Sequence, residues 1–214
     1  MTRLFLLLAD PVVAARQRAA LDAVPGLQVV GWVNTVAQAR TQIPSLRPDL
    51  VLADLQLADG PLAPLLPALA DDPKFHRPKV LLATMSVGDA ALYDALGRGA
   101  DGYVLQGSGQ DALAAAIDLA LAGGATMAPE IARRIQQHFD AVAWDPTDFV
   151  GESLNPLHPD ATERLLLQWL ADGYLVEEIA RQFKLGAGEV TRRVRTLYRK
   201  LQYDLRAATL SLAL

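Results

Sequence analysis

Short apolar runs and helically spaced stretches alternate through the first 125 residues. The runs occupy 4–8, 27–33, 50–53, 80–83 and 102–105, and the helical spacing falls at 12–24, 36–43, 62–70, 90–96 and 112–121. Five strand-length runs, each followed by such a stretch, predict a parallel sheet with helices on both faces. The runs are apolar throughout instead of alternating, as expected of strands covered on both sides. Asp10-Pro11 places a cap and a first-turn proline at one helix start, and Ser108 with Asp111 predicts a cap at another. Gly97, Gly99 and Gly123-Gly124 sit near helix ends. Pro61, Pro64 and Pro67 make the third helix short.

A further amphipathic helix is predicted over 129–139. Residues 140–158 carry Pro146, Gly151 and Pro156 and hold no apolar period, so they read as an interdomain linker in which Trp144, Phe149 and Val150 can dock on a domain. From Asp160 onward the pattern is helical. The expected division is 1–125, 126–158 as helix plus linker, and 159–214.

Asp160 and Glu163 have capping-box spacing ahead of a helix with Leu166, Leu167 and Leu170, which Gly173 stops. Glu177 opens a short second helix bearing Ile179, Ala180 and Phe183. Leu185-Gly186-Ala187-Gly188 is a tight turn, and a third helix follows over 187–202. On it Val190, Val194, Leu197 and Leu201 form one apolar stripe. Arg192, Arg195 and Arg199 lie on another face, flanked by Arg193, Thr196 and Lys200. Five bases against one acid, Glu189, in the twelve residues 189–200 make a cationic ridge. Two short helices, a glycine turn and a basic helix are the layout that enters a DNA major groove, where cations neutralise phosphates and arginine pairs with guanine. The plainer reading of the same ridge is a solvated face of a helical bundle.

Bulk properties narrow the class. Of 214 residues, 51 % are apolar, enough for two small cores. No apolar run reaches 18 residues, so no membrane span or signal peptide is expected. Cysteine is absent, which excludes disulfides and thiolate metal sites, and the histidines (His76, His138, His158) lack ligand spacing. Residues 1–154 hold 17 acids and 11 bases, a charge of −6; residues 155–214 hold 7 acids and 9 bases, a charge of +2. An acidic body with a basic tail fits two modules with different partners. The simplest class is a soluble cytoplasmic protein.

The tail resembles the LuxR-type helix-turn-helix of NarL/FixJ response regulators. The match runs through Ala171, Gly173, Glu178, Ile179 and Ala180, then through Val190, Val194, Arg195, Leu197, Arg199, Lys200 and Leu201. The resemblance implies that Thr191, Arg192 and Arg195 face bases, while Arg193, Arg199 and Lys200 serve phosphates. Gly186, Glu189 and Arg193 depart from the family's serine, threonine and histidine, and an acid at Glu189 is expected to weaken or retune binding. Residues 205–214 resemble the family's closing helix, which implies a homodimer.

The first 123 residues resemble a receiver domain, an α/β flavodoxin-like fold with a doubly wound five-stranded sheet. The segment 48–55 resembles the strand that ends in a phosphoacceptor, here Asp54; Thr84, Tyr103 and Gln106 fall at switch positions. In such domains a carboxylate takes a phosphoryl group with Mg²⁺ held by acids and a lysine adding charge. Here Leu8-Ala9-Asp10-Pro11 lacks at least one of the paired acids, and Gln106 stands where the lysine belongs. Losing one such charge costs about two to three decades in rate. The expectation is therefore a DNA-binding regulator, not an enzyme, with an atypical receiver, no required cofactor and no metal unless Asp10 and Asp54 hold Mg²⁺. The alternatives are an orthodox regulator phosphorylated at Asp54 by a sensor kinase, and a protein-interaction module.

Overall fold

The computed structural model describes residues 1–70, 77–141 and 158–211. His76 and the docking residues Trp144, Phe149 and Val150 lie outside them. Two compact units are present, Met1–Ala122 and Gly123–Leu214.

The first unit has the predicted α/β architecture. Strands β1 (Thr2–Leu7), β2 (Leu27–Val33), β3 (Leu50–Asp54), β6 (Lys79–Thr84) and β7 (Gly102–Leu105) form one sheet in the order β2-β1-β3-β6-β7. All its pairings are parallel. Two two-residue strands, β4 (Gln56–Leu57) and β5 (Gly60–Pro61), make a small antiparallel ladder beyond β3. Helices α1 (Pro11–Asp22), α2 (Val36–Leu46), α3 (Leu65–Ala70), α4 (Ala90–Arg98) and α5 (Gln110–Leu121) connect the strands.

Successive side chains of a strand point to opposite faces, so continuous apolar runs supply both. Leu4, Leu6, Leu8, Leu50, Leu52 and Leu81 form one core with Leu21 of α1 and with Leu113 and Ile117 of α5. Phe5 and Leu7, equally buried, fall on the opposite face. The β1–β2 register shifts between Leu4 and Phe5. Gly31 sits opposite Phe5, and a β-carbon there would lie 2.9 Å from both the Phe5 ring and Leu46.

Two local expectations differ. The α5 N-cap is Gly109, at φ +92°, and makes no side-chain cap bond. The Ser108 hydroxyl instead donates to the Leu105 carbonyl, closing the preceding turn. Helix α2 runs through Pro44 to Leu46 and ends on Arg47 in the left-handed region.

The second unit holds α6 (Pro129–Ala141), α7 (Ala161–Ala171), α8 (Val176–Phe183) and α9 (Ala187–Ser211). Helix α6, which the sequence pattern grouped with the linker, packs its buried Ile131, Ala132, Ile135 and Phe139 within this unit, chiefly along α7. Arg133 of α6 donates to the Ala171 carbonyl at the end of α7 at 2.7 Å. The Asp160–Glu163 capping box is formed at the start of α7. The stripe Val190, Val194, Leu197 and Leu201 is fully buried.

The separate closing helix expected over 205–214 is corrected: α9 continues unbroken to Ser211. Gln202-Tyr203-Asp204-Leu205 contains no glycine or proline to stop it. The Asp204 carboxylate is engaged by His138 Nε2 at 2.7 Å. Among the described residues, no helix is long and apolar enough to cross a membrane.

Candidate functional site

Two places carry the residues singled out by sequence. The first is the carboxyl edge of the parallel sheet, where ligands of open α/β sheets gather. Asp54 ends β3 and is half-buried. Its Oδ2 accepts the Ala9 N–H at 2.9 Å, and its Oδ1 accepts the Gln106 side-chain amide at 3.0 Å. Burial pushes the carboxyl above the ordinary aspartate range; these two hydrogen bonds oppose the shift, and the nearby Asp10 charge adds to it.

Asp10 is near enough for its charge to act on Asp54, and it has a structural task of its own. It is the N-cap of α1, and its Oδ1 accepts the N–H groups of Val12 and Val13 at 2.7 and 3.2 Å. Thr84, buried at the end of β6, donates its hydroxyl to the Ser86 carbonyl at 3.0 Å. Tyr103 is buried in β7. The Gln106 N–H bonds to the Thr84 carbonyl at 2.8 Å, which holds the glutamine at the rim beside Asp54.

Receiver folds use Mg²⁺, a hard cation that wants several oxygen donors in near-octahedral array. The residues present do not fit it. Ala9 has no side-chain oxygen and its N–H is directed at Asp54, Asp10 caps a helix, and Gln106 presents an amide donor to the one remaining carboxylate. No cluster of three His, Cys, Asp or Glu side chains suited to a metal occurs among the described residues.

The second place is α9. Arg192 is exposed, with its guanidinium forked onto Glu189 Oε2 at 3.1 and 2.8 Å. Arg193 Nε lies 3.6 Å from the other Glu189 oxygen. These cations hold Glu189 below the usual glutamate range, the Arg192 hydrogen bond being the largest cause. Arg199 is exposed, and the half-buried Thr196 donates its hydroxyl to the Arg192 carbonyl at 3.2 Å.

The remaining positions of the ridge turn inward. Thr191 and Arg195 are 7 and 6 % exposed. Lys200 donates to Glu163 Oε2 at 2.5 Å and to the His158 carbonyl at 2.8 Å, with its side chain 15 % exposed. The ridge is thus divided: Arg192, Arg193 and Arg199 face outward or partly so, while Thr191, Arg195 and Lys200 are enclosed. Glu163 also accepts the Asp160 N–H, so one buried carboxylate serves both a helix cap and a cation. Sequence spacing flagged the cap and could not flag the Lys200 pair, whose members lie 37 residues apart.

The chain is 30 % identical over 187 residues to the DNA-binding transcriptional activator DevR/DosR of Mycobacterium tuberculosis, covering 87 % of this chain and 82 % of that protein. It belongs to the NarL/LuxR family of response regulators. A two-component response regulator of the LuxR family from Aurantimonas shares its fold at 29 % identity and a TM-score of 0.56, over 64 % of this chain and 98 % of that one. The RcsB response regulator of Salmonella typhimurium has the same fold over 96 % of this response regulator and 98 % of its own chain, at 19 % identity and a TM-score of 0.51. No family model matches the chain.

Proposed function

We propose that this response regulator is a DNA-binding transcriptional regulator whose receiver unit works without Mg²⁺-dependent phosphorylation of Asp54. The observation that carries the receiver half is the bond from Gln106 to Asp54 Oδ1. An amide supplies a dipole where a full positive charge would stabilise a phosphoryl transition state, and Asp10 is engaged in capping α1. The DNA half rests on α9, whose Val190–Leu201 stripe is buried while Arg192, Arg193 and Arg199 remain accessible to phosphate. The description of the mycobacterial relative as a DNA-binding activator supports the same reading.

In this reading residues 1–125 are the receiver-like domain, 126–158 the connecting helix and linker, and 159–214 the DNA-binding domain. The protein acts in the cytoplasm by binding, not turnover, as a homodimer on paired half-sites. Duplex binding measured against salt tests the DNA half. Affinity that falls steeply with salt, and drops in Arg192→Ala, is expected; weak salt-insensitive binding by both proteins defeats it.

A second reading, orthodox phosphorylation under a sensor kinase, is favoured by one observation: an aspartate does stand at the end of β3. Incubation with acetyl phosphate and Mg²⁺ followed by intact mass separates the two. No mass gain is expected, and a gain abolished by Asp54→Asn establishes the second reading.

A further inference from the structure

In a doubly wound sheet the inner strands are covered on both faces. Strand β6 lies between β3 and β7, yet its Ala83 is only half-buried. So is Val104, its partner in register on β7. The uncovered place is a cavity of about 250 Å³ between α1 and α5, with Leu52, Ala83, Val104 and Leu113 as its floor. Local sequence leaves it open. Helix α1 offers only the small Ala20 there, and Gly107 and Gly109 bring no side chains to its edge. On the other side of Ala83, in register on β3, stands Asp54.

The polar lining has one character. Arg16 and the amides of Gln17, Gln106 and Gln110 contribute to it, and no aspartate or glutamate does. Residues 1–154 carry 17 acids against 11 bases, so a cation lining a cavity without a neighbouring acid departs from the surrounding balance. Arg18 on the same helix pairs with Asp22 at 3.5 Å, whereas Arg16 has no ion-pair partner among the described residues. A cleft with low-dielectric walls and charge of one sign draws the opposite charge. Size sets the other limit. An apolar cavity of about 150 Å³ holds one benzene ring, and drug-sized pockets begin at about 300 Å³. One ring with a short acidic arm falls between them.

We propose that the cavity between α1 and α5 binds a small one-ring carboxylate, with the ring on Ala83 and Val104 and the carboxylate at Arg16. Gln106 belongs both to this cavity and to Asp54. Its amide nitrogen carries two hydrogens, so one serves Asp54 while the other reaches a ligand oxygen. Occupancy is thereby felt at Asp54, through an input that needs neither Mg²⁺ nor a phosphoryl group. The site stands whether or not α9 binds DNA, and its test reads the cavity alone.

The experiment titrates phenylacetate into the ¹⁵N-labelled full chain and follows the Gln106 side-chain amide and the backbone amides of Gly107 and Gly109. Saturable shifts with a Kd of about 1 mM or tighter are expected. Arg16 is exposed, so Arg16→Ala is expected to weaken binding about fivefold, and the neutral phenylacetamide to bind wild type about fivefold more weakly than phenylacetate. Ala20→Leu fills the cavity and is expected to abolish the shifts. Absence of saturable shifts at about 10 mM phenylacetate, equal affinity for phenylacetamide, or equal affinity in Arg16→Ala overturns the site. So does undiminished binding by folded Ala20→Leu; if that variant fails to fold, Arg16→Ala and phenylacetamide carry the test. Shifts that follow protein concentration instead of phenylacetate, with a dimer by sedimentation, assign this face to a second copy of the chain and overturn the small-molecule site.

Discussion

The side-chain amide of Gln106 donates to Oδ1 of Asp54 at 3.0 Å, while the other oxygen of that carboxylate accepts the Ala9 N–H. A group built for charge is thus held by one neutral side chain and one peptide dipole. Its half-burial outweighs both, and the carboxyl titrates above its ordinary value.

The sign of the consequence follows from linkage. A carboxyl whose folded pKa is raised binds its proton more tightly folded than unfolded, so its ionisation destabilises the fold as pH rises through that pKa. Asp54→Asn is expected to raise the thermal midpoint at pH 7. The gain should shrink toward zero as pH falls below the ordinary aspartate value, where wild-type Asp54 is protonated in both states. Thermal denaturation of both proteins at pH 7 and at a pH about one unit below the ordinary aspartate value checks it.

Glu189 competes with phosphate for two arginines, since Arg192 forks onto one of its oxygens and Arg193 approaches the other. Glu189→Gln is expected to strengthen duplex binding several-fold at low salt and to steepen the log–log salt dependence by about one unit. A titration of both proteins from 50 to 200 mM salt reads the two effects in one experiment. An unaltered slope would mean that these guanidiniums do not meet the backbone.

Lys200 sits in the basic ridge by sequence and in the core by contact. Its ammonium and the Glu163 carboxylate are paired at 2.5 Å, with side-chain exposures of 15 and 8 %. Lys200→Ala strands a buried carboxylate and is expected to cost about 3–5 kcal/mol, measured by urea denaturation. Glu163→Gln in the same chain should recover part of that loss. The discriminating outcome is on DNA: at temperatures where the variant is folded, its salt slope should match the wild type.

Gly31 is the residue against which β1 and β2 close. A β-carbon there would lie 2.9 Å from the Phe5 ring and from Leu46, and both neighbours belong to the packed sheet and α2. Gly31→Ala is expected to destabilise by about 1–3 kcal/mol through overpacking. Chemical denaturation of the full chain measures it, and duplex affinity of the folded variant should be unaffected.

Sequence periodicity alone determined the β/α alternation, the parallel sheet, and the buried valine–leucine stripe of α9. Those properties follow from local spacing: a run of apolar residues has to be covered on both faces, and residues four apart share one side of a helix. The resemblance to a receiver domain, not periodicity, singled out Asp54, Ala9 and Gln106, which the structure brings together at the carboxyl edge of the sheet. Only the tertiary structure decided which cations are available. Arg192, Arg195 and Lys200 look alike along the chain, yet one is exposed, one is buried, and one is locked to Glu163. The reason is physical: a long basic side chain adopts whichever partner the fold brings within reach. Arg192 finds Glu189 three residues away, but the partner of Lys200, Glu163, lies 37 residues away in a part of the chain that no local pattern connects.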